Sequence, residues 1–342
     1  MNIGIHTLIR GLVLSTLMVL SICAYSQDIH YSQFYNSPAM INPSLTGLFD
    51  GDHRFIINHR DQWRFVPVPW TTFTGAYDKA FYRSGSDRSR FGLGGSINYD
   101  RQGDSKLTLF SLQVNGGYHF AISNKSTLSL GANVGFANRG FNTRALRWDK
   151  QWNGETFDLN APSQEQFQNN ESVSFLESGV GVNYRYQKSA RTSLDIGAAA
   201  LHLIEPKANF INAEATKLPR RYTLNAVANI KLIEELDLQL HVLHQIQGKY
   251  NETVFGGVGK IYLNQNKGKQ LQLHLGLGYR TSKSLIPIIA FQVNNWYLSG
   301  NLDIDSTPYN DALNSTRGAY ELHLRYIIKN VRPFRARNCD QL

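Results

Sequence analysis

Five of the ten histidines, His119, His202, His241, His274 and His323, lie on or near predicted strands and carry side chains whose charge changes near neutral pH. All except His202 fall on the polar phase of an alternating pattern. A zinc-type site needs ligands at defined spacing, backed by outer carboxylates. No pair of these histidines has helical metal spacing, so they read as polar side chains facing a polar interior. Glu234-Glu235 is the only adjacent carboxylate pair. It falls in a predicted tight turn, whereas acid–base catalysis needs two carboxylates in different environments facing one substrate. Gly256-Gly257-Val258-Gly259 resembles half of a phosphate loop, but no Lys-Ser or Lys-Thr follows it and it lies inside a predicted strand. There is no G-x-S-x-G element. The chain is therefore read as non-enzymatic, with no catalytic residue, no metal ligand and no cofactor. One stretch invites a binding role instead. Between 142 and 172 lie Arg144, Arg147, Trp148, Lys150, Trp152 and Phe157. Trp and Arg are enriched at protein-binding hot spots, so this stretch is either a partner surface or a lid folded back on the molecule.

The elements that must position these residues follow a two-residue rhythm. Phe91, Leu93, Gly95, Ile97 and Tyr99 alternate with Arg90, Gly92, Gly94, Ser96, Asn98 and Asp100. Successive side chains of a strand point to opposite faces, so one face here is apolar and the other small or polar. The rhythm returns over 54–63, 70–81, 90–100, 106–120, 127–138, 174–186, 193–202, 222–232, 236–246, 253–263, 271–280, 285–293, 296–305 and 319–328. Two solvents, lipid outside and a polar lumen inside, satisfy such a pattern. The expected fold is all-β, a closed transmembrane antiparallel barrel of about fourteen strands, since closure leaves no backbone group unpaired in lipid. If both termini are periplasmic, the three long connections (139–173, 203–221 and 306–318) all follow odd strands and lie outside, while short turns follow even strands. The competing architectures are a soluble sandwich or a propeller. Water-facing sandwich strands do not carry this density of Phe, Tyr and Leu, and no propeller period is present.

Bulk composition agrees. The chain has 342 residues, 12% aromatics, 28 Gly and a net charge of +9. Its mean hydropathy of −0.33 suits a barrel whose strands are half polar. The basic residues are scattered, with no dense stripe, so nucleic acid is not an expected partner. Residues 1–26 read as a signal peptide. Arg10 supplies the positive region, 12–22 the apolar run, and Ala24-Tyr25-Ser26 the small residues before cleavage. Ile22 argues against lipidation at Cys23. After cleavage Cys339 stands alone, which leaves no internal disulfide. The expected organisation is a signal peptide (1–26), a periplasmic or plug-like segment (27–51), the outer-membrane barrel (52–330) and a periplasmic tail (331–342).

A family resemblance enters at the N-terminus. Tyr31-Ser32-Gln33-Phe34-Tyr35, Asn42-Pro43-Ser44-Leu45-Thr46-Gly47, Arg54 and Asp61-Gln62-Trp63 resemble the opening of the PorP/SprF family. These are outer-membrane proteins of the type IX secretion and gliding machinery of Bacteroidetes. His202, Pro206, Phe210 and Leu218-Pro219-Arg220 resemble the family's H-x-x-x-P and L-P-R loop. Gly318-Ala319-Tyr320-Glu321-Leu322 resembles its G-x-Y-E opening of the last strand. Ser44 replaces the usual Ala, and the tail Asn338-Cys339-Asp340 departs from the family's Cys-Pro ending.

The resemblance implies a barrel that supports export or surface anchoring of a cargo protein. Its implied partners are periplasmic type IX components, the cargo and outer-membrane lipid. The alternative is a passive porin or hydrophobic-solute transporter. The positions singled out by the family pattern are Gln33, Phe34, Asn42, Pro43, Gly47, Gln62, Trp63, Pro206 and Pro219, in structural or partner-binding roles. Arg144, Arg147, Trp148, Trp152 and Phe157 form the candidate partner loop.

Overall fold

The computed structural model describes residues 28–64, 69–82, 89–142, 146–158, 160–164, 172–208, 210, 217–266, 268–306 and 317–329. The expected signal peptide, the C-terminal tail and Arg144 lie outside these residues. Fourteen antiparallel strands close on themselves in chain order. They are β1 (His53–Gln62), β2 (Trp70–Tyr82), β3 (Arg90–Gln102), β4 (Leu107–Ala121), β5 (Ser126–Gly140), β6 (Ser172–Gln187) and β7 (Ser193–Leu201). There follow β8 (Arg221–Lys231), β9 (Leu236–Gln247), β10 (Tyr250–Asn264), β11 (Leu271–Arg280), β12 (Ser284–Val293), β13 (Trp296–Asp305) and β14 (Arg317–Ile328). The expected architecture is the observed one. The largest shift of a strand start is in β10, expected from 253 and beginning at Tyr250.

Alternation sets the register. β1 closes the barrel against β14, pairing Arg60 with Glu321 and Asn58 with His323 across the seam. These four side chains point inward and are buried, while Phe55, Ile57 and Leu322 point outward and stay exposed. A slip by one residue would send the charges into lipid, so the pattern fixes the register strongly. The outer face carries exposed Phe, Leu, Ile and Val on every strand, as at Leu112, Val134, Leu176, Leu224, Leu277 and Leu302. This much exposed apolar surface needs lipid to cover it. Strand lengths run from 9 residues in β7 to 16 in β6, enough to span a hydrocarbon core.

The interior is inverted relative to a water-soluble domain. It is mostly polar, and only small apolar clusters interrupt it, such as Phe34, Ile41 and Leu243. Residues 28–51 run through this interior. They form a 3-10 turn at Phe34–Asn36, a one-turn helix at Pro38–Ile41 and a second 3-10 turn at Pro43–Leu45. The segment begins among the ends of β7 and β8 that carry the long loops. It leaves beside the start of β1 and the end of β14, where Asp52 N–H donates to Ile328 O at 2.8 Å. By the loop-length rule the first end is the outer one and the second the periplasmic one.

Candidate functional site: a filled lumen and its outer rim

Glu321, in the last strand, meets the N-terminal segment. The backbone N–H groups of Ser32 and Gln33 donate to its two carboxylate oxygens at 2.7 and 3.2 Å. Ser32 Oγ also donates to Asp303 at 2.8 Å, and Gln33 Nε2 to Asn301 Oδ1 at 2.7 Å. Arg60 binds both Glu321 and Asp303. Arg280 bridges Asp303 and Glu252, each at 3.2 Å. His323 closes the group, with Nε2 3.1 Å from Glu321 and Nδ1 2.8 Å from Asn58 Oδ1. All these charges are buried. Breaking a buried network by removing one partner costs about 3–5 kcal/mol, so these contacts hold the segment in one position.

Below this network, Phe34 and Tyr35 pack on His241 with ring centroids 5.7 and 4.8 Å apart. Asn36 Nδ2 donates to Ser299 Oγ at 3.2 Å. Asn42 caps the turn that Pro43 opens, its Oδ1 accepting from Ser44 N–H at 3.0 Å. Its Nδ2 donates to Val182 O at 3.0 Å, so one side chain ties the segment to β6. Gly47 adopts φ +75°, a conformation that favours glycine, and its N–H donates to Asp78 Oδ2 at 2.7 Å. Arg54 in turn pairs with Asp78 at 2.7 Å.

The wall makes room for this backbone. Gly92, Gly117, Gly131, Gly181 and Gly197 form a strip of the lumen surface along β3 to β7. A Cβ at Gly131 would collide with the backbone of Ser44 and Pro43. One at Gly197 would lie 2.6 Å from Asn42 Nδ2. His119 completes the seat, with Nε2 2.9 Å from Thr46 O and Nδ1 2.8 Å from Ser129 Oγ.

At the outer end Asp28 lies 2.7 Å from His202 Nε2 and 2.9 Å from Arg221 Nη1. Burial works against its ionisation, but the charges of Arg221 and His202 prevail and hold the carboxyl well below the usual range. His202 was expected off the polar phase. It nevertheless turns inward and is buried, because a left-handed backbone (φ 54°) just past β7 breaks the strand alternation there. The loop behind it is pinned at both expected prolines. Pro206 O accepts from Leu218 N–H at 2.9 Å, and Pro219 O accepts from Gln247 Nε2 at 3.3 Å. Leu218 and Ile29 share an apolar cluster, so this loop covers the outer start of the segment.

Gln62 and Trp63 lie apart from the lumen floor. Gln62 Oε1 accepts from Arg60 Nη2 at 3.3 Å, and Trp63 packs on Trp70 at 4.9 Å at the outer rim. The candidate loop forms a small hairpin there. A 3-10 turn at Asp149–Gln151 precedes a bridge between Trp152 and Phe157, whose rings lie 4.9 Å apart. Arg147 sits 5.6 Å over Phe157. Trp152 is 46% exposed and Phe157 38%, while Trp148 is half-buried. Trp152 and Phe157 thus keep much of their apolar surface uncovered.

The remaining expectations resolve simply. Glu234 lies in the turn between β8 and β9 and binds Lys231 and Arg191. Gly256 to Gly259 lie inside β10, where a Cβ at Gly256 would fall 2.6 Å from Leu277 O. Among the described residues His241 alone of the lumen-phase histidines has no hydrogen-bond partner on either ring nitrogen, its ring being packed by Phe34 and Tyr35. Sequence reasoning missed the Arg60–Asp303–Arg280–Glu252 network and the glycine strip. Charges and glycines recurring on the inward phase of predicted strands were the available signal.

The lumen is not filled throughout. At the periplasmic end, along β9 to β14, a cavity of about 320 Å3 remains open beneath Tyr35.

Among solved structures, the chain is similar in shape to the toluene transporter TbuX of Ralstonia pickettii (TM-score 0.49, 13% identity, 85% of this chain and 92% of that one). It is also similar to the toluene transporter TodX of Pseudomonas putida (TM-score 0.46, 10% identity, 88% and 93%). No curated protein matches the sequence. A family model described as type IX secretion system membrane protein PorP/SprF matches residues 24–326, a range that holds the S-Q-F, N-P and G-x-Y-E elements, so the chain belongs to the PorP/SprF family of type IX secretion system membrane proteins.

Proposed function

We propose that this outer-membrane barrel supports export or surface anchoring of a cognate cargo protein and performs no catalysis itself. The observation that carries the reading is the filled lumen. Its own N-terminal segment occupies the interior and is held by a buried ionic network, which is poor design for a general diffusion path. The rim meanwhile offers Arg147, Trp152 and Phe157, the residue types of a protein-binding hot spot. The outer hairpin and the loop that covers the start of the N-terminal segment form the partner surface. Periplasmic type IX components engage the opposite end, and in gliding cells of Bacteroidetes the cargo includes surface adhesins.

Deleting residues 144–157 tests this. Cargo display at the cell surface should be lost while the barrel stays inserted. Affinity capture of the tagged wild type from outer membranes should return type IX components with one cargo. Normal display by the deletion variant would end the proposal. The second reading, a passive porin or hydrophobic-solute transporter, is favoured only by the open periplasmic cavity. Single-channel conductance of the purified barrel separates the two, since a secretion partner sealed by its own segment should pass almost no current.

A further inference from the structure

The cavity at the periplasmic end has an unusual charge balance. Elsewhere in the lumen Arg54, Arg60, Arg185, Arg221 and Arg280 each lie within ion-pair distance of a carboxylate. Two cations lining the cavity, Lys260 on β10 and Arg325 on β14, do not. Lys260 Nζ donates to Asn229 Oδ1 at 2.6 Å, which leaves two of its three N–H groups unused. Arg325 lies 4.4 Å over the ring of Tyr297. Its guanidinium has no hydrogen bond or ion pair among the described residues, so its five donors are free.

The acids that line the same space are already engaged. Asp237 accepts from Arg191 at 2.7 Å and from Tyr262 Oη at 2.7 Å. Asp50 sits exposed at the rim and binds Lys329. Two half-buried cations face one polar cavity whose carboxylates are held by other partners, so they repel each other and retain unsatisfied donors. From the N-terminal segment Tyr35 and Asn36 reach the cavity, while its turn at Pro43–Leu45 packs against β4 to β6.

We propose that this cavity is a binding site for an oxyanion, a carboxylate or phosphate group, which enters from the periplasmic end and is held by Lys260 and Arg325. Arg325 supplies a planar fork that matches such a group, and Lys260 a point charge beside it. Gln272 and Asn229 offer further polar contacts, and Tyr297 a flat wall. The volume fits a small solute or a short acidic stretch of a partner polypeptide. Both sources present the same chemistry to the pair.

The test uses the full barrel in a neutral maltoside detergent, titrated calorimetrically with inorganic phosphate, with succinate and with the peptide Gly-Asp-Asp-Gly. Saturable binding of at least one probe at one site per barrel is expected. K260Q combined with R325Q should weaken it at least tenfold, while K79Q, outside the cavity, leaves it unchanged. Raising the salt from low to high concentration on the wild type should weaken it too, a readout independent of any variant's folding. Peptide binding more than tenfold tighter than succinate assigns the group to a protein partner. The reverse order assigns it to a free solute. Absence of saturable binding by all three probes, or equal binding to the double variant, overturns the proposal.

Discussion

Two sides of one lumen share a wall geometry and differ in what fills them. Along β3 to β7 the inward positions include Gly92, Gly117, Gly131, Gly181 and Gly197, and the residues Asn42 to Gly47 occupy the space their missing side chains leave. Along the periplasmic half of β9 to β14 the inward positions include Asp237, Gln239, Lys260, Tyr262, Tyr297 and Arg325, and a cavity stays open between them. Both sides obey the same alternation and pair the same way with their neighbours. The difference shows that side-chain volume on the inward phase decides where the N-terminal segment can lie. A strip without Cβ atoms lets backbone approach backbone. A wall of long polar and cationic chains leaves no such seat, and a cavity remains.

The comparison can be broken from the crowded side. Gly131→Leu should have the largest effect, because its side chain needs the volume of Ser44 and has no direction to move. The segment should leave the lumen, with protease cleavage of 28–50 and a measurable conductance in planar bilayers. Gly116→Leu on the lipid side of β4 has nothing within 4 Å of its new Cβ and should change stability by less than about 0.5 kcal/mol. Retained closure in Gly131→Leu would contradict the account of the strip.

Next in size is the ionic network above the segment. Arg60→Ala leaves Glu321 buried beside only His323 and backbone donors, and should cost about 3–5 kcal/mol in urea unfolding from lipid vesicles. Arg325→Ala on the open side breaks no ion pair and should cost less than about 1 kcal/mol by the same measurement. Similar losses for the two would mean that the open side is as tightly organised as the filled one.

At the rim, Trp152→Ala with Phe157→Ala should leave unfolding unchanged. Captured cargo should fall by roughly 30-fold or more, the size of a lost hot spot of about 2 kcal/mol. The smallest effect concerns pH. The depressed carboxyl of Asp28 contributes stability that is complete above its unfolded-state value of about 3.9 and is lost as pH falls toward the folded one. Protease resistance of residues 28–50 should therefore show no loss attributable to Asp28 between about pH 8 and pH 5. Asp28→Asn should show greater fraying than wild type at every pH in that window.

Much of the barrel is legible in the residues alone. The alternation at Phe91 to Tyr99 marks a strand with two solvents, and the same rhythm, repeated, places fourteen strands close to where they lie. The long connections after β5, β7 and β13 orient the barrel. These are local properties, since the period of a strand and the length of a loop depend only on neighbouring residues. His202 marks where that local logic stops, as one left-handed residue turns a side chain against the alternation.

What the alternation could not give is who stands opposite whom across the lumen. It puts Glu321, Asp303, Arg60 and Arg280 on the inward face but does not say that they close around Ser32, 289 residues from Glu321 in the chain. It marks the glycines of β3 to β7 as small but not as a seat for Asn42 to Gly47. It marks Lys260 and Arg325 as polar but not as unpaired. A strand's period fixes the direction in which a side chain points. Only the closed barrel, which brings distant strands and the N-terminal segment into one enclosed volume, decides what that side chain meets, because contact there depends on curvature, strand stagger and the space the others leave.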